Sequence, residues 1–164
     1  MSFSIWIIIA VVVQRLAELL YSNRNTQRLL ADGGTEVGKG HYPILILIHT
    51  AWIVAIAIMA PPDNRIIWTL VGLYGVVQIG RYWVLHTLGP YWSTRVIDLP
   101  NAPLIQHGPY RWIRHPNYVI VILEIAILPA ALQLWEIAII FSILNAGILI
   151  WRIRIENRAL AKRR

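Results

Sequence analysis

YPILILIHTAWIVAIAIMA, residues Tyr42–Ala60, runs without a single Asp, Glu, Lys or Arg. Its Ile44-Leu45-Ile46-Leu47-Ile48 core has no polar residue recurring every three or four positions, which a helix on the surface of a soluble bundle needs. At ~20 residues it has the length of a helix that crosses a bilayer. Working outward, four more apolar stretches appear: Phe3–Tyr21, Ile66–Leu88, Pro116–Leu132 and Leu134–Ile153. Ile137-Ala138-Ile139-Ile140-Phe141 is as unbroken as the first. The predicted fold is therefore all-α integral membrane: one domain, residues 1–164, with five transmembrane helices over 3–21, 42–60, 66–88, 116–132 and 134–153. Gln133 alone separates the last two, with Pro129 close by, so these two spans are expected to form a tight hairpin.

Composition agrees. The 164 residues are 57% hydrophobic and 14% charged, with a mean hydropathy of +0.57. Soluble domains lie nearer one half and one quarter, so an ordinary cytosolic domain and a disordered chain are both poor fits. The absence of cysteine excludes disulfides, thiolate metal sites, iron–sulfur clusters and cysteine nucleophiles, and no metal site is read from the sequence. A net charge of +7 would suggest nucleic acid in a soluble protein. Here the basic residues lie between and after apolar stretches and report orientation instead. One side of the membrane receives Arg24, Arg28, Lys39, Arg95, Arg111, Arg114, Arg152, Arg154, Arg158, Lys162, Arg163 and Arg164, and the other receives Arg65 alone. That asymmetry puts the amino terminus outside and the carboxyl terminus, with loops 22–41 and 89–115, in the cytoplasm. The start, Met-Ser-Phe-Ser-Ile, has no basic residue and no cleavage site follows, so the first stretch is expected to remain a span. Loop 89–115 carries too much apolar matter for disorder and is expected to fold against the membrane face, with a short hairpin around Asn101–Pro103.

Polar side chains inside the spans need reasons, because a charge there costs at least ~2.5–3.5 kcal/mol. Arg15 and Glu18 stand three apart on the first helix and can pair. Gln78 and Arg81 repeat that spacing on the third. His49, Glu124 and Asn145 lie at a similar depth. Snorkelling explains each arginine alone; a polar pocket opening toward the cytoplasm explains the group. Trp6, Trp68 and Trp151 read as interfacial aromatics.

His107-Gly108-Pro109-Tyr110-Arg111-Trp112-Ile113-Arg114-His115-Pro116-Asn117-Tyr118 is the densest polar stretch and leads into the fourth span. Pro116 suits a first helical position. His115 then stands beside unpaired backbone N–H groups, a natural site for a carboxylate or phosphate. On the residues alone, an interfacial belt with orientation signals and a ligand site both fit.

The pattern Gly108-Pro109-Tyr110-x-x-x-Arg114-His115-Pro116-x-Tyr118, followed by Leu123-Glu124, resembles the isoprenylcysteine carboxyl methyltransferase family and its phospholipid-methyltransferase relatives. Arg152-Ile153-Arg154-Ile155-Glu156-Asn157-Arg158-Ala159-Leu160 is similar to that family's acidic motif after the last helix. Leu88–Arg95 is similar to its segment after the third span, and Gly38–Pro43 to short bacterial members. Two departures stand out: Glu156-Asn157 replaces an acidic pair, and Ile120 replaces a small residue.

The resemblance implies an integral-membrane methyltransferase using S-adenosylmethionine without a Rossmann domain, in keeping with the absence of a Gly-x-Gly-x-x-Gly unit. It implies a cofactor region over about 89–164, facing the cytoplasm of a bacterial inner membrane, and a lipophilic acceptor arriving sideways from the bilayer. Carried over, His107, Gly108, Pro109, Tyr110, His115, Pro116, Tyr118, Glu124, Glu156 and Asn157 would bind the cofactor. Arg81, Arg152, Arg154 and Glu156 would serve catalysis. The expected product is a methylated oxygen (carboxylate, phenol or enol), as in short bacterial members resembling enzymes of alkylpyrones and phenolic lipids. Isoprenylcysteine carboxyl O-methylation and phospholipid N-methylation are the nearest alternatives. An NADPH-dependent membrane reductase, whose relatives share an Arg-His-Pro-x-Tyr-like element, and a transporter are the alternatives of another class.

Overall fold

Five α-helices carry the five apolar stretches. The structure, a computed structural model, describes residues 2–61, 63–100 and 102–161. The helices are α1 (Phe3–Ala31), α2 (His41–Met59), α3 (Trp68–Leu88), α4 (Pro116–Ala131) and α5 (Trp135–Ala161). Short 3-10 turns at Asp63–Arg65, Gly89–Tyr91 and Gly108–Arg111 punctuate the connections. Strand β1 (Thr35–Glu36) pairs antiparallel with β2 (Ile97–Asp98), Thr35 opposite Asp98.

Phe3–Ala31, His41–Met59 and Trp135–Arg158 are long and apolar enough to cross a membrane. The 21-residue α3 is interrupted by Gln78, Arg81 and His86, and α4 has 16 residues, or about 24 Å at the helical rise. Large apolar side chains point away from the protein, Ile58 79%, Ile79 71% and Ile143 68% exposed, as suits a surface solvated by lipid rather than water. Inside, Val11, Trp52, Ile56, Ile125, Leu128 and Leu132 form the centre of the apolar core.

Helix ends follow local chemistry. The α4–α5 hairpin turns at Leu132–Leu134: the Leu134 N–H donates to the Pro129 carbonyl at 2.8 Å, and Gln133 takes a φ of 57°. Two expected boundaries move. α1 continues to Ala31 instead of stopping at Tyr21, and α5 to Ala161 instead of Ile153. The added residues are mostly polar, and Ser22, Asn25 and Thr26 on α1, like Glu156 and Asn157 on α5, are held by side-chain hydrogen bonds to other segments, so the helices outrun their apolar stretches. α1 stops where Gly33, at φ 91°, supplies a left-handed residue. The Gly34 N–H then donates to the Leu29 carbonyl at 2.9 Å and the Gly33 N–H to Leu30 at 3.1 Å, a Schellman closure. The hairpin expected around Asn101–Pro103 lies partly outside the described residues, as do Lys162, Arg163 and Arg164. The strand pairing that does form joins the two long loops to each other.

The charges expected inside the spans meet. Arg81 on α3 grips Glu18 on α1 with a fork, Nε to Oε1 at 2.5 Å and Nη2 to Oε2 at 2.6 Å, while its Nη1 donates to Glu124 Oε2 on α4 at 2.7 Å. Arg15 closes the ring, 2.9 Å from Glu18 and 2.8 Å from Glu124. Gln78 donates to Glu124 at 2.8 Å, and Gln14 bonds both Gln78 and Glu18. Two cations and two anions thus cancel between α1, α3 and α4.

Removing one member strands an opposite charge, at a cost of ~3–5 kcal/mol for a buried pair. Arg81→Ala and Glu18→Ala are each expected to lower the detergent-solubilised protein's thermal unfolding temperature sharply. Equal unfolding temperatures for wild type and Arg81→Ala contradict this account.

Candidate functional site

The candidate site lies where α4 begins and α5 passes. Arg152 and Glu156 stand four apart on α5, hence on one face. The α5 extension makes this pairing possible, since the motif sits on the helix instead of after it. Pro116 opens α4, and its missing N–H breaks no helical bond.

Tyr118, buried in the first turn of α4, is the hub. Its hydroxyl accepts from Arg152 Nε at 2.9 Å and donates to Glu156. Its ring stacks on His115, centroids 5.3 Å apart. His115 Nε2 lies 3.2 Å from Asn157 Oδ1, and Nδ1 lies 3.8 Å from Glu156, an ion pair when the imidazole is protonated. Arg152 Nη1 donates to the Thr94 carbonyl.

Two spaces adjoin this hub. One is a cavity of about 770 Å³ lined mainly by residues between Tyr91 and Leu99 and between Ala102 and Tyr118, with Arg152 and Glu156 of α5. The other is a groove of about 300 Å³ between α1 and α2, walled by Val12, Leu16, Leu19, Leu45, Ile46 and Ile53. Trp92, Ser93, Asn117, Tyr118 and Arg152 line both. A roomy, partly polar cavity and an aliphatic groove therefore share one wall. Over the cavity, Arg95 bonds Glu36 at 3.0 Å and lies 4.4 Å above the Tyr42 ring, tying the loop carrying β2 to the one carrying β1.

Of the residues singled out in the sequence, Tyr110, His115, Tyr118, Arg152 and Glu156 line the large cavity. Burial, with the Glu156 charge adding to it, pushes the Tyr110 phenol above its ordinary range, so it remains a neutral hydroxyl. Asn157 joins the cluster through His115. Gly108 and Pro109 lie in the 3-10 turn that presents Tyr110, Pro109 and Pro116 buried and His107 exposed just before it. Arg154 is exposed and lines neither space. Arg81 lines the groove, and Glu124 lines neither, held instead in the ion cluster. Ser22 and Thr94 escaped the sequence reading. The available signal was a seven-residue repeat on α1: Ser4, Val11, Glu18 and Asn25 fall on one buried face, joined by Ser22 and Leu29.

A family model described as the isoprenylcysteine carboxyl methyltransferase (ICMT) family matches residues 70–162. The chain is 39% identical over 161 residues, 94% of its length and 95% of the relative's, to an uncharacterized protein, YpbQ, of Bacillus subtilis (strain 168). It is 24% identical over 110 residues, 63% of each chain, to an uncharacterized protein of Haemophilus influenzae. No solved structure gives a significant match.

Gly108 tests how tightly the cavity wall is built. It sits at φ 58°, and a Cβ there would stand 2.6 Å from Thr87 Oγ1 and 3.0 Å from Thr87 Cγ2. Gly108→Ala is expected to cost more than the ~1–2 kcal/mol of left-handed strain, read as a fall in the unfolding temperature. Adding Thr87→Ala is expected to return the collision's share and leave the strain. A Gly108→Ala protein as stable as wild type refutes the packing.

Proposed function

The chain belongs to the isoprenylcysteine carboxyl methyltransferase family, a family of membrane methyltransferases, and from that membership we propose that it transfers a methyl group from S-adenosylmethionine to an oxygen of a lipophilic acceptor. The observation that carries the reading is the shared wall: a polar cavity and an aliphatic groove meet at Trp92, Ser93, Asn117, Tyr118 and Arg152.

The cavity's donor set suits the cofactor. Its volume of about 770 Å³ falls in the range of small-molecule sites, ~300–1,000 Å³. Glu156 offers a carboxylate to an ammonium or sulfonium, and the faces of Tyr110, Tyr118 and Trp92 offer aromatic surface to a cation or a base. His115 and the first-turn N–H of Asn117, which no preceding helical carbonyl reaches, suit a carboxylate. S-adenosylmethionine, when bound, supplies a methyl already activated on a sulfonium.

The protein's task is then alignment and exclusion of water. Arg152, held at two nitrogens by Tyr118 and the Thr94 carbonyl, is a fixed cation at the wall. It lowers the cost of negative charge on an acceptor oxygen there, and a preset cation needs no reorganisation during reaction. A carboxylate arrives ionised at neutral pH, and a phenol or enol gains most from this cation. The aliphatic lining of the groove takes the acceptor's hydrocarbon, leaving its polar end at Arg152. All five helices span the membrane in this reading, amino terminus outside, with the cavity opening to the cytoplasm of a bacterial inner membrane.

S-adenosylhomocysteine is expected to raise the unfolding temperature of the detergent-solubilised protein, with NADPH leaving it unchanged. Glu156→Gln is expected to weaken that binding by about tenfold, the loss of one charge-assisted contact. Labelled S-adenosylmethionine is then offered with a prenylcysteine, a long-chain alkylresorcinol, a long-chain hydroxypyrone and phosphatidylethanolamine. Methyl incorporation into the amine alone would overturn oxygen transfer, and stabilisation by NADPH alone would overturn the methyltransferase reading.

Orientation is checked separately. In this cysteine-free chain, Ser2→Cys is expected to react with an impermeant maleimide from outside intact cells, and Lys39→Cys only after permeabilisation. The opposite pattern inverts the proposed topology.

A further inference from the structure

We propose that Ser22, on the first helix and far from the family motifs, is a positioning residue for methyl transfer: it sets the backbone of Thr94, and through it the guanidinium of Arg152. This rests on the role given to Arg152 above.

The lower half of α1 is fastened to the wall segment by side-chain hydrogen bonds. Asn25 Nδ2 donates to the carbonyls of Gly89 at 3.1 Å and Trp92 at 2.8 Å. The Thr26 and Ser93 hydroxyls are 2.8 Å apart. Ser22 Oγ accepts from the Thr94 N–H at 2.8 Å and lies 2.7 Å from Thr94 Oγ1, whose own proton points to Tyr42 Oη at 3.3 Å. Residues at i, i+3 and i+4 of one helix thus secure three consecutive residues of an otherwise irregular strip.

Thr94 stands apart from its two neighbours because both of its backbone polar groups carry load, the N–H before its Cα and the carbonyl after it. Its N–H is fixed by Ser22, and its carbonyl receives Arg152 Nη1. Arg152 is 5% exposed, so water does not readily replace that acceptor, and its remaining anchor, Tyr118 Oη, leaves the guanidinium free to swing about Nε. Ser22 is fully buried, and no water substitutes for its hydroxyl. A shift of the Thr94 backbone, whose N–H and carbonyl flank one Cα, therefore moves the cation at the wall. Trp92 and Ser93 line both spaces, and Thr94 lines the groove.

The test uses the full chain in detergent. Ser22→Ala is expected to lower kcat about tenfold, the worth of one hydrogen bond spent on alignment, with S-adenosylhomocysteine affinity and acceptor KM held near wild type. Thr26→Ala deletes a comparable bond one turn away without touching Thr94. It is expected to match the loss in unfolding temperature while keeping kcat. In an Arg152→Lys background, Ser22→Ala is expected to add nothing further, because it acts through Arg152. The position of Arg152 is read independently by phenylglyoxal modification mapped by mass spectrometry, expected to be faster in Ser22→Ala. That readout needs no acceptor, so it separates the two readings. Faster modification in a protein that methylates none of the offered lipids leaves the geometry standing and removes the proposed reaction. Unchanged modification, an unchanged kcat, or independent effects of Ser22→Ala and Arg152→Lys overturns the positioning role.

Discussion

A guanidinium surrounded by hydrocarbon must find its counter-charge within the protein, and this constraint organises the rest of the molecule. Arg15 and Arg81 cannot be solvated where they stand, so Glu18 and Glu124 must come to them. Satisfying both arginines at once fixes how α1, α3 and α4 are rotated against one another. A slip of one residue along any helix turns its charge by ~100° and breaks the ring. Apolar packing alone tolerates exchange of Leu for Ile or small slides of register. The forked contact of Arg81 with Glu18 does not.

The same constraint explains the character of α1. Of its seven buried residues, Ser4, Glu18, Ser22, Asn25 and Thr26 are polar. A helix that borders an open aliphatic groove gains little by burying more hydrocarbon against α2, since that would close the groove. Directional bonds hold it at a distance and in one orientation while its apolar flank, Val12, Leu16 and Leu19, remains available to the groove. Polar fastening and apolar vacancy are thus two sides of one arrangement.

Much of this was legible in the sequence, for identifiable reasons. Five apolar runs announced five helices because lipid-length stretches leave little choice, and Gln133 beside Pro129 announced the hairpin. The Arg15–Glu18 pair followed from helical spacing. Its closure by Glu124 did not, because contacts between helices depend on rotations that no local pattern encodes. The continuation of α1 through Ser22–Ala31 was hidden by its polarity, which hydropathy reads as loop, although the seven-residue spacing of Ser4, Val11, Glu18 and Asn25 pointed to it. The two-residue pairing of Thr35–Glu36 with Ile97–Asp98 is too short for periodicity to register. In the candidate site, His115, Tyr118 and Glu156 were found through the motif, and the same motif drew in Arg154, which its helix turns outward. Ser22 lay outside every motif, and Thr94 lay in the family-like segment Leu88–Arg95 without a role of its own, since their part is to hold backbone.

A site that joins a water-soluble donor to an oily acceptor has few places to stand. Deep in the bilayer the donor's charges cannot be solvated, and out in water the acceptor's chain has no cover. The boundary is where a helix begins or leaves the apolar layer, and there its backbone exposes N–H groups and its side chains turn from aliphatic to ionic within a single turn. α2, α4 and α5 each make that change around Tyr42, Tyr118 and Arg152, and these three side chains converge on Thr94 or on one another. A separate nucleotide-binding domain would have to dock onto the membrane surface for every encounter. Under the proposed function, the ends of the helices supply the charges, the loop between α3 and α4 supplies the cover, and a wall shared by cavity and groove lets the two meet.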